Sequence, residues 1–200
     1  MSDVVSAYSR RAAEYSELLG SMTAMHHADV HLITSWASQC DGTVLDAGCG
    51  PGHWTGHLAA AGVDARGIDQ VPSFIDHART VHPGTPFEVG DIDAMPYPNA
   101  EFGGVLAWYS LIHHDPDDIS RPLAEFARVL RRGGSLLVGC FLGGTIEGFD
   151  HAVVRAFRWP SEALHGRLID AGFEILETHT RTGSPASSPK PHAAIIARRH

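Results

Sequence analysis

A short apolar segment that runs directly into a glycine-rich turn constrains the fold of this chain more than any other feature. Residues 43–47 form the apolar run, and three glycines lie among residues 48–52. Residues 53–61 continue as a helix that ends at Gly62. The segment predicts a strand, a tight turn and a helix in succession, an arrangement that lets a ligand approach backbone amides closely.

The same alternation of strand and helix continues through most of the chain. Right-handed crossovers make such strands parallel and place helices on both faces of the sheet. The last two strands have no helix between them and are expected to pair antiparallel. The sequence therefore predicts an α/β fold with a doubly wound, mostly parallel seven-stranded sheet and an antiparallel terminal strand. The predicted strands are residues 43–47, 64–69, 85–89, 102–107, 135–141, 173–180 and 192–197, and the predicted helices between them are residues 53–61, 73–82, 122–131 and 161–171.

The length of 200 residues predicts a single domain, residues 1–200. Its first part, residues 1–39, has apolar and aromatic residues at helical spacing and is expected to be a helical lead-in. Residues 141–160 carry glycines and polar residues without a clean period, which predicts a loop with a short helix. We interpret that second segment as an insertion on the substrate side of the sheet.

Composition excludes several classes of partner. Fifteen Lys and Arg against 23 Asp and Glu leave a formal charge of −8, so nucleic acid is not an expected partner. Three cysteines without a C-x-x-C pair argue against a disulfide framework, and no apolar run is long enough to predict a membrane span. With no secretory signal pattern at the N-terminus, a cytoplasmic location is expected.

Three carboxylates follow successive predicted strands. Asp46 precedes the glycine turn, Asp69 ends the second strand, and Asp91 ends the third and is followed by Ile92. Any one aspartate at such a position is more often a turn or helix cap than a ligand. Three at the same edge of a sheet favour a cofactor, because Asp46 suits a cationic ammonium, Asp69 the hydroxyls of a ribose, and Asp91 with Ile92 a purine.

The turn does not complete the dinucleotide-binding fingerprint. Counting G-x-G-x-x-G from Gly48 places the last glycine at His53. The chain also has a single lysine, Lys190, whereas hydride transfer would favour a catalytic Tyr and Lys pair. A nicotinamide-dependent oxidoreductase is therefore a weaker alternative.

These segments resemble the class I S-adenosylmethionine-dependent methyltransferases, in particular the small single-domain members. The likeness lies in residues 44–52, Asp69, residues 90–92 and residues 102–134, and it covers nearly the whole chain. It implies a Rossmann-like fold and S-adenosyl-L-methionine as the cofactor. The cofactor-binding residues that it implies are Tyr8 (or Tyr15) as a cover, Asp46, Gly48 and Gly50 for the methionine part, Asp69 and Gln70 at the ribose, Asp91 and Ile92 at adenine, and Trp108 as a pocket wall.

Methyl transfer demands positioning more than a fixed catalytic motif. His113 and His114 follow the fourth strand, and either is a candidate general base toward a hydroxyl or an amine, although proximity alone is the common alternative. Tyr109 and His151 are candidate substrate contacts. His27 and His31 lie one helical turn apart, but no third ligand is near in sequence, so no metal is predicted.

The sequence thus predicts methyl transfer to a small-molecule O, N or C acceptor by a monomer or homodimer, without a nucleic-acid or membrane partner. A module that binds the cofactor without turnover is the alternative from another functional class. No Asn or Asp-Pro-Pro-aromatic run follows the fourth strand, where the chain reads Trp108-Tyr109-Ser110-Leu111. A DNA amine is therefore not expected as the acceptor.

Overall fold

The computed structural model describes residues 22–151, 155–182 and 191–200. Tyr8, Tyr15 and Lys190 lie outside these residues, as does the first half of the expected helical lead-in. Within the described part, a 3-10 turn at Met22–Ala24 is followed by helices and strands in alternation. They are α1 (His27–Ser38), β1 (Val44–Ala47), α2 (His53–Ala60), β2 (Ala65–Asp69), α3 (Pro72–Val81), β3 (Phe87–Val89), β4 (Phe102–Trp108), α4 (Ser120–Val129), β5 (Leu130–Leu142), β6 (Glu147–Phe149), β7 (Ala156–Trp159), α5 (Ser161–Asp170), β8 (Phe173–Arg181) and β9 (His192–Arg199).

The strands form one mostly parallel sheet in the order β3-β2-β1-β4-β5-β7-β6. Neighbours from β3 to β7 are parallel, and β9 pairs antiparallel with both β5 and β8. The predicted α/β architecture and the antiparallel pairing of the last two strands are confirmed. β1 and β4 lie at the centre, which explains why their residues are almost all buried.

Helices cover both faces of this sheet. Ile33 and Trp36 of α1 and Leu58 of α2 pack on one face with Leu137 of β5. On the other face the packed residues come from α4 and α5, and they are Leu123, Phe126, Leu164 and Leu168. Apolar residues at helical spacing supply each buried stripe, as the sequence predicted for α4.

The segment 141–160 differs from its prediction, as does the strand count. The described part of that segment contains β6 and β7 instead of a short helix, so the sheet has nine strands and not seven. These two strands have only three and four residues, which is too short for an alternating pattern. They are held by cross-strand contacts: Glu147 and Arg158 form an ion pair at 3.1 Å, and the Arg158 guanidinium lies 4.3 Å from the centre of the Phe149 ring.

Smaller shifts occur at element ends. α3 begins at Pro72, one residue earlier than predicted, because proline suits the first position of a helix. α4 ends at Val129, and residues 130–132 already belong to β5, where Leu130 pairs with Phe102. These shifts leave the order of strands at the centre of the sheet unchanged.

Candidate cofactor and acceptor site

A cavity of about 410 Å³ lies at the carboxyl ends of the central parallel strands. Its volume falls within the range of roughly 300–1,000 Å³ found for small-molecule sites. The loops that leave β1, β2, β3 and β4 all contribute to its wall, as expected for an open α/β sheet. The residues in the wall that the sequence singled out are Asp46, Gly48, Gly50, Asp69, Gln70, Ile92, Trp108, Tyr109, His113, His114 and His151.

The glycine turn after β1 is held against β2. The amides of Gly48 and Cys49 both donate to the carbonyl of Ile68, at 2.8 and 3.0 Å. Gly48 has φ +82° and Gly50 has φ +53°, a region of backbone conformation that favours glycine. A Cβ on Gly48 would lie 2.3 Å from Cβ of Ser110, whereas a Cβ on Gly50 would meet no atom of the described residues within 4 Å. Only the second glycine leaves open space beside its backbone.

This difference predicts unequal effects of adding a methyl group. We expect both Gly48→Ala and Gly50→Ala to lose about 1–2 kcal/mol of stability from the left-handed backbone. Gly48→Ala should lose more, because Ser110 must also move. Urea unfolding of the two variants measures the difference. Equal losses would mean that Ser110 can shift at little cost.

Asp46 is a buried carboxylate, 2% exposed, at the end of β1. Its Oδ2 accepts a hydrogen bond of 2.7 Å from the Thr55 hydroxyl of α2. Burial raises the pKa of Asp46 to about 7, the hydrogen bond from Thr55 opposes that rise, and the nearby Asp69 adds to it. No ion pair to this carboxylate is found among the described residues, and a positively charged ligand group would supply the opposite charge.

Asp69 both shapes the turn and faces the cavity. Its Oδ2 accepts from the Gly50 amide and its Oδ1 from the Val71 amide, each at 2.9 Å. Burial raises the pKa of Asp69, and these backbone hydrogen bonds oppose the rise. A carboxylate has about four lone-pair sites, so both oxygens retain capacity for ligand hydroxyls. Asp69 can therefore cap the backbone of the turn and still accept hydrogen bonds from a ligand.

The two residues expected at adenine are placed differently. Ile92 lies in the cavity wall, with Gly90 beside it. The Asp91 carboxylate instead accepts from the Asp93 amide at 3.0 Å, and Asp91 is not among the residues that line the cavity. Its role as a ligand therefore stays a prediction.

The end of β4 supplies an aromatic wall. Trp108 packs edge-on against Trp54, with ring centres 6.0 Å apart. Tyr109 follows with φ +58°, and its hydroxyl lies 2.5 Å from Nδ1 of His192. A left-handed conformation is uncommon for a bulky residue, so this tyrosine is held in place by its surroundings.

The candidate histidines also reach the cavity wall. His114 is buried, its Nε2 lies 2.9 Å from Oδ1 of Asp93, and its Nδ1 has no hydrogen-bond partner among the described residues. His113 donates from Nδ1 to the carbonyl of Arg155 at 2.8 Å, and its ring lies 5.5 Å from that of His151. Burial lowers the pKa of His113. Of the three, His114 has the clearest acid–base geometry.

Sequence reasoning missed part of the wall. Asp29, His26 and Arg181 also line the cavity, and Arg181 binds Asp29 through both guanidinium nitrogens, at 2.7 and 2.8 Å. His26 lies just before α1, Asp29 lies on α1 and Arg181 lies on β8, and no local sequence motif marks any of them. Trp54 and His53 also line the cavity; the position of His53, where the dinucleotide fingerprint has glycine, was the only signal available.

Several buried polar atoms of cavity residues have no hydrogen-bond partner within the part of the chain that the structure describes. Unpaired buried polar atoms are rare and costly in folded proteins, so a set of them around one cavity points to a polar ligand. They are Nδ1 of His53, Nε1 of Trp54, Oγ of Ser110 and Nδ1 of His114.

The described ranges, 22–151, 155–182 and 191–200, contain no cluster of three or more His, Cys, Asp or Glu side chains arranged to hold a metal ion. They also contain no helix that is long and apolar enough to cross a membrane.

Comparison with known proteins finds a match in the part of the chain that contains the glycine turn and the loops after β1 to β4. Residues 44–134 match the family model described as "Methyltransferase domain". A malonyl-[acyl-carrier protein] O-methyltransferase of Erwinia billingiae is 32% identical over 135 residues, which is 67% of this chain and 51% of the relative. The methyltransferase GfsG of Streptomyces halstedii is 32% identical over 168 residues, covering 73% of this chain and 59% of that protein. The chain thus spans about half the length of the first of these relatives.

A solved structure shares the fold along nearly the whole chain. The 1,6-didemethyltoxoflavin-N1-methyltransferase of Burkholderia thailandensis, with 1,6-didemethyltoxoflavin and S-adenosylhomocysteine bound, aligns with a TM-score of 0.80 at 19% identity. The alignment covers 99% of this chain and 88% of that one. At this identity the likeness supports the fold alone.

Proposed function

Because this chain belongs to the class I S-adenosylmethionine-dependent methyltransferases, we propose that it transfers a methyl group to a small molecule through an oxygen, nitrogen or carbon atom. The observation that carries the proposal is that Asp46 and Asp69 both line the cavity beside the glycine turn. Asp69 meets the turn through the Gly50 amide. This arrangement offers one carboxylate to a cation and one to a diol.

The wall of the cavity fits S-adenosylmethionine in three respects. Asp46 is a buried carboxylate with no cationic partner among the described residues, which suits the ammonium of the methionine part. Asp69, with Gln70 beside it, suits the ribose hydroxyls, and the apolar side chain of Ile92 suits the adenine face. The unpaired polar atoms of Trp54 and Ser110 provide further hydrogen-bonding groups.

When bound, S-adenosylmethionine supplies an electrophilic methyl group on a sulfonium. The contribution of the protein is to align the acceptor, exclude water and, for a protonated acceptor, remove a proton. Trp108 and Tyr109 at the end of β4 would form the acceptor wall together with His151. Residues 141–160 contribute Phe141 and His151 to that wall, in keeping with the proposed substrate-side insertion.

His114 remains a candidate base within this proposal. Its hydrogen bond to the Asp93 carboxylate needs a proton on Nε2, which leaves the lone pair of the neutral ring on Nδ1. That lone pair has no partner among the described residues. His113 is less suited, because its Nδ1 proton is committed to the Arg155 carbonyl and burial lowers its pKa.

The proposal is tested by following a labelled methyl group. The protein is incubated with S-adenosylmethionine carrying a deuterated methyl and with separate panels of phenols, amines, carboxylic acids and malonyl-loaded acyl carrier protein. Mass spectrometry should find label in one small-molecule class, with S-adenosylhomocysteine formed in equal amount. Label in the carrier protein alone would overturn the acceptor class but keep methyl transfer. Cofactor binding without label in any panel would instead support a binding module.

A further inference from the structure

A second polar network adjoins the cavity and includes neither Asp46 nor Asp69. It runs from the Tyr109 hydroxyl to Nδ1 of His192, 2.5 Å away, and from Nε2 of His192 to Oδ1 of Asp29, 3.6 Å away. We propose that Tyr109 removes a proton from the acceptor while passing its own to His192, so that the acceptor attacks through a neutral O–H or N–H group. The inference rests on the proposed function and narrows its substrate class.

Tyr109 meets the requirements of position. It lines the cavity directly after β4, and its ring packs against Trp108 and Phe141, with ring centres 5.5 and 4.8 Å away. Its backbone has φ +58°, a left-handed conformation that is uncommon for a bulky residue with a Cβ. Strain of this kind persists where the surroundings impose it, and it gathers at functional sites.

His192 is placed to receive a proton. It is buried at 5% exposure on β9, and its Nε2 faces Asp29. In the proposed relay the Nε2 proton faces that carboxylate, 3.6 Å away, and Nδ1 carries the lone pair that accepts from the Tyr109 hydroxyl. The phenolic oxygen then has its own lone pairs available to the acceptor.

Asp29 is fixed by the groups around it. Arg181 binds it through both guanidinium nitrogens and also donates to Nδ1 of His26, 3.2 Å away. Nδ1 of His26 further accepts from the Ala28 amide. Asp29 therefore cannot rotate away from His192 without breaking a bidentate pair.

Burial favours the neutral form of both Tyr109 and His192. Burial raises the pKa of Tyr109, Asp29 and Cys140 raise it further, and Arg181 opposes them. Burial lowers the pKa of His192, which Asp29 raises and Arg181 and His26 lower. A neutral phenol hydrogen-bonded to a neutral imidazole is the starting state that a proton relay requires.

The step balances without another reactant. The acceptor's O–H or N–H bond breaks, and that proton forms a new O–H bond on Tyr109. The original hydroxyl hydrogen of Tyr109 moves to Nδ1 of His192. The electron pair left on the acceptor forms the bond to the methyl carbon, and the pair of the broken carbon–sulfur bond stays on sulfur. The positive charge ends on the His192 imidazolium beside Asp29, and water takes the proton after product leaves.

The relay distinguishes acceptors that must lose a proton during transfer from acceptors that are already ionised. A carboxylic acid is ionised at neutral pH and needs no base, whereas a phenol, an alcohol or a ring N–H must lose a proton during transfer. We therefore expect the acceptor to belong to the second group. This expectation differs from the malonyl acceptor in the name of the Erwinia relative.

Tyr109→Phe tests the relay, with Tyr97→Phe as the matched control. The Tyr97 hydroxyl is buried, lies outside the cavity wall and has no hydrogen-bond partner among the described residues. For a phenol acceptor we expect Tyr109→Phe to lower kcat about 100-fold or more at pH 7. The loss should shrink as the pH approaches the acceptor's own pKa, and S-adenosylhomocysteine should bind as tightly as to wild type. An unchanged kcat, or equal rates with phenols and carboxylic acids in the wild type, would overturn the relay.

A second measurement needs no acceptor. Nitrogen-15 NMR of histidine-labelled protein, with the His192 signal assigned through His192→Gln, reports which ring nitrogen carries the proton. The relay requires a neutral ring protonated at Nε2, and a ring protonated at Nδ1 would overturn it. Failure of the proposed function looks different, because then no acceptor panel would carry the methyl label with the wild-type protein, whatever the tautomer of His192.

Discussion

Asp46→Asn is expected to raise the free energy of unfolding at pH 8 and to weaken binding of the cofactor in the same protein. The folded pKa of Asp46 is about 7, against an ordinary value of 3.8. Between these values the folded state holds a proton that the unfolded state has lost, so stability falls as pH rises through that window. The full shift corresponds to about 4 kcal/mol at most. An asparagine avoids this cost, and its side-chain oxygen still accepts from Thr55.

Unfolding by urea at pH 4 to 8 measures this effect. The wild type should lose stability between about pH 4 and pH 7 relative to Asp46→Asn, and the two curves should converge at the acid end. Asp76→Asn is the control, since Asp76 is exposed on α3 with its side chain 77% accessible. Parallel curves for wild type and Asp46→Asn would contradict the account of a buried, uncompensated carboxylate.

The cost of burying Asp46 is offset when a cation arrives. An ammonium beside the carboxylate lowers its pKa again, so binding at pH 6 should release a proton and tighten as pH rises to 7. In Asp46→Asn we expect binding of S-adenosylhomocysteine to weaken by about 1.5–3 kcal/mol, roughly 10–150-fold, with no such pH slope. Calorimetry in two buffers of different ionisation enthalpy detects the proton.

Asp69→Ala is expected to weaken S-adenosylhomocysteine binding by a similar 1.5–3 kcal/mol, because hydrogen bonds to a charged group are lost. The same change also removes the acceptor of the Gly50 and Val71 amides. Each unpaired buried amide costs about 1–3 kcal/mol of stability. Asp69→Asn is the matched variant, since its single amide oxygen keeps one acceptor, and it should lose less of both quantities.

Adenosine distinguishes the two aspartates, because it has the ribose but no ammonium. Asp69→Ala should weaken adenosine and S-adenosylhomocysteine alike. Asp46→Asn should weaken S-adenosylhomocysteine and leave adenosine unchanged. Calorimetric titration of both variants with both ligands measures the four values. If Asp46→Asn weakened adenosine as much, the two carboxylates would not divide the cofactor in the proposed way.

The parts of the site that were predictable from sequence share one property, which is that each lies at or just after the carboxyl end of a strand. The glycine turn, Asp46 and Asp69 lie where the carboxyl ends of β1 and β2 must meet, so a strand prediction was enough to bring them together. Trp108 ends β4, Tyr109 comes directly after it, and both were found for the same reason. In a parallel sheet the carboxyl ends of neighbouring strands lie at one edge, so residues that are distant along the chain lie close together in space.

The parts that were missed depend on contacts between distant residues. The hydroxyl of Tyr109 and His192 are 83 positions apart, and Asp29 and Arg181 are 152 positions apart. The antiparallel pairing of β9 with β8 was predicted, but neither residue type nor spacing reveals that β9 also pairs with β5. β6 and β7 were missed because strands of three and four residues carry too few positions to show a period. Tyr8 as a cover of the cofactor stays a prediction, since it lies outside the described residues.

The most direct test of the central claim is calorimetric titration of the wild-type protein with S-adenosylmethionine, S-adenosylhomocysteine and NAD. The account predicts that both sulfur nucleosides bind at one site and that NAD does not, because the glycine turn has His53 in place of the last fingerprint glycine and Asp46 would repel a pyrophosphate. Binding of NAD, or of none of the three, would contradict it.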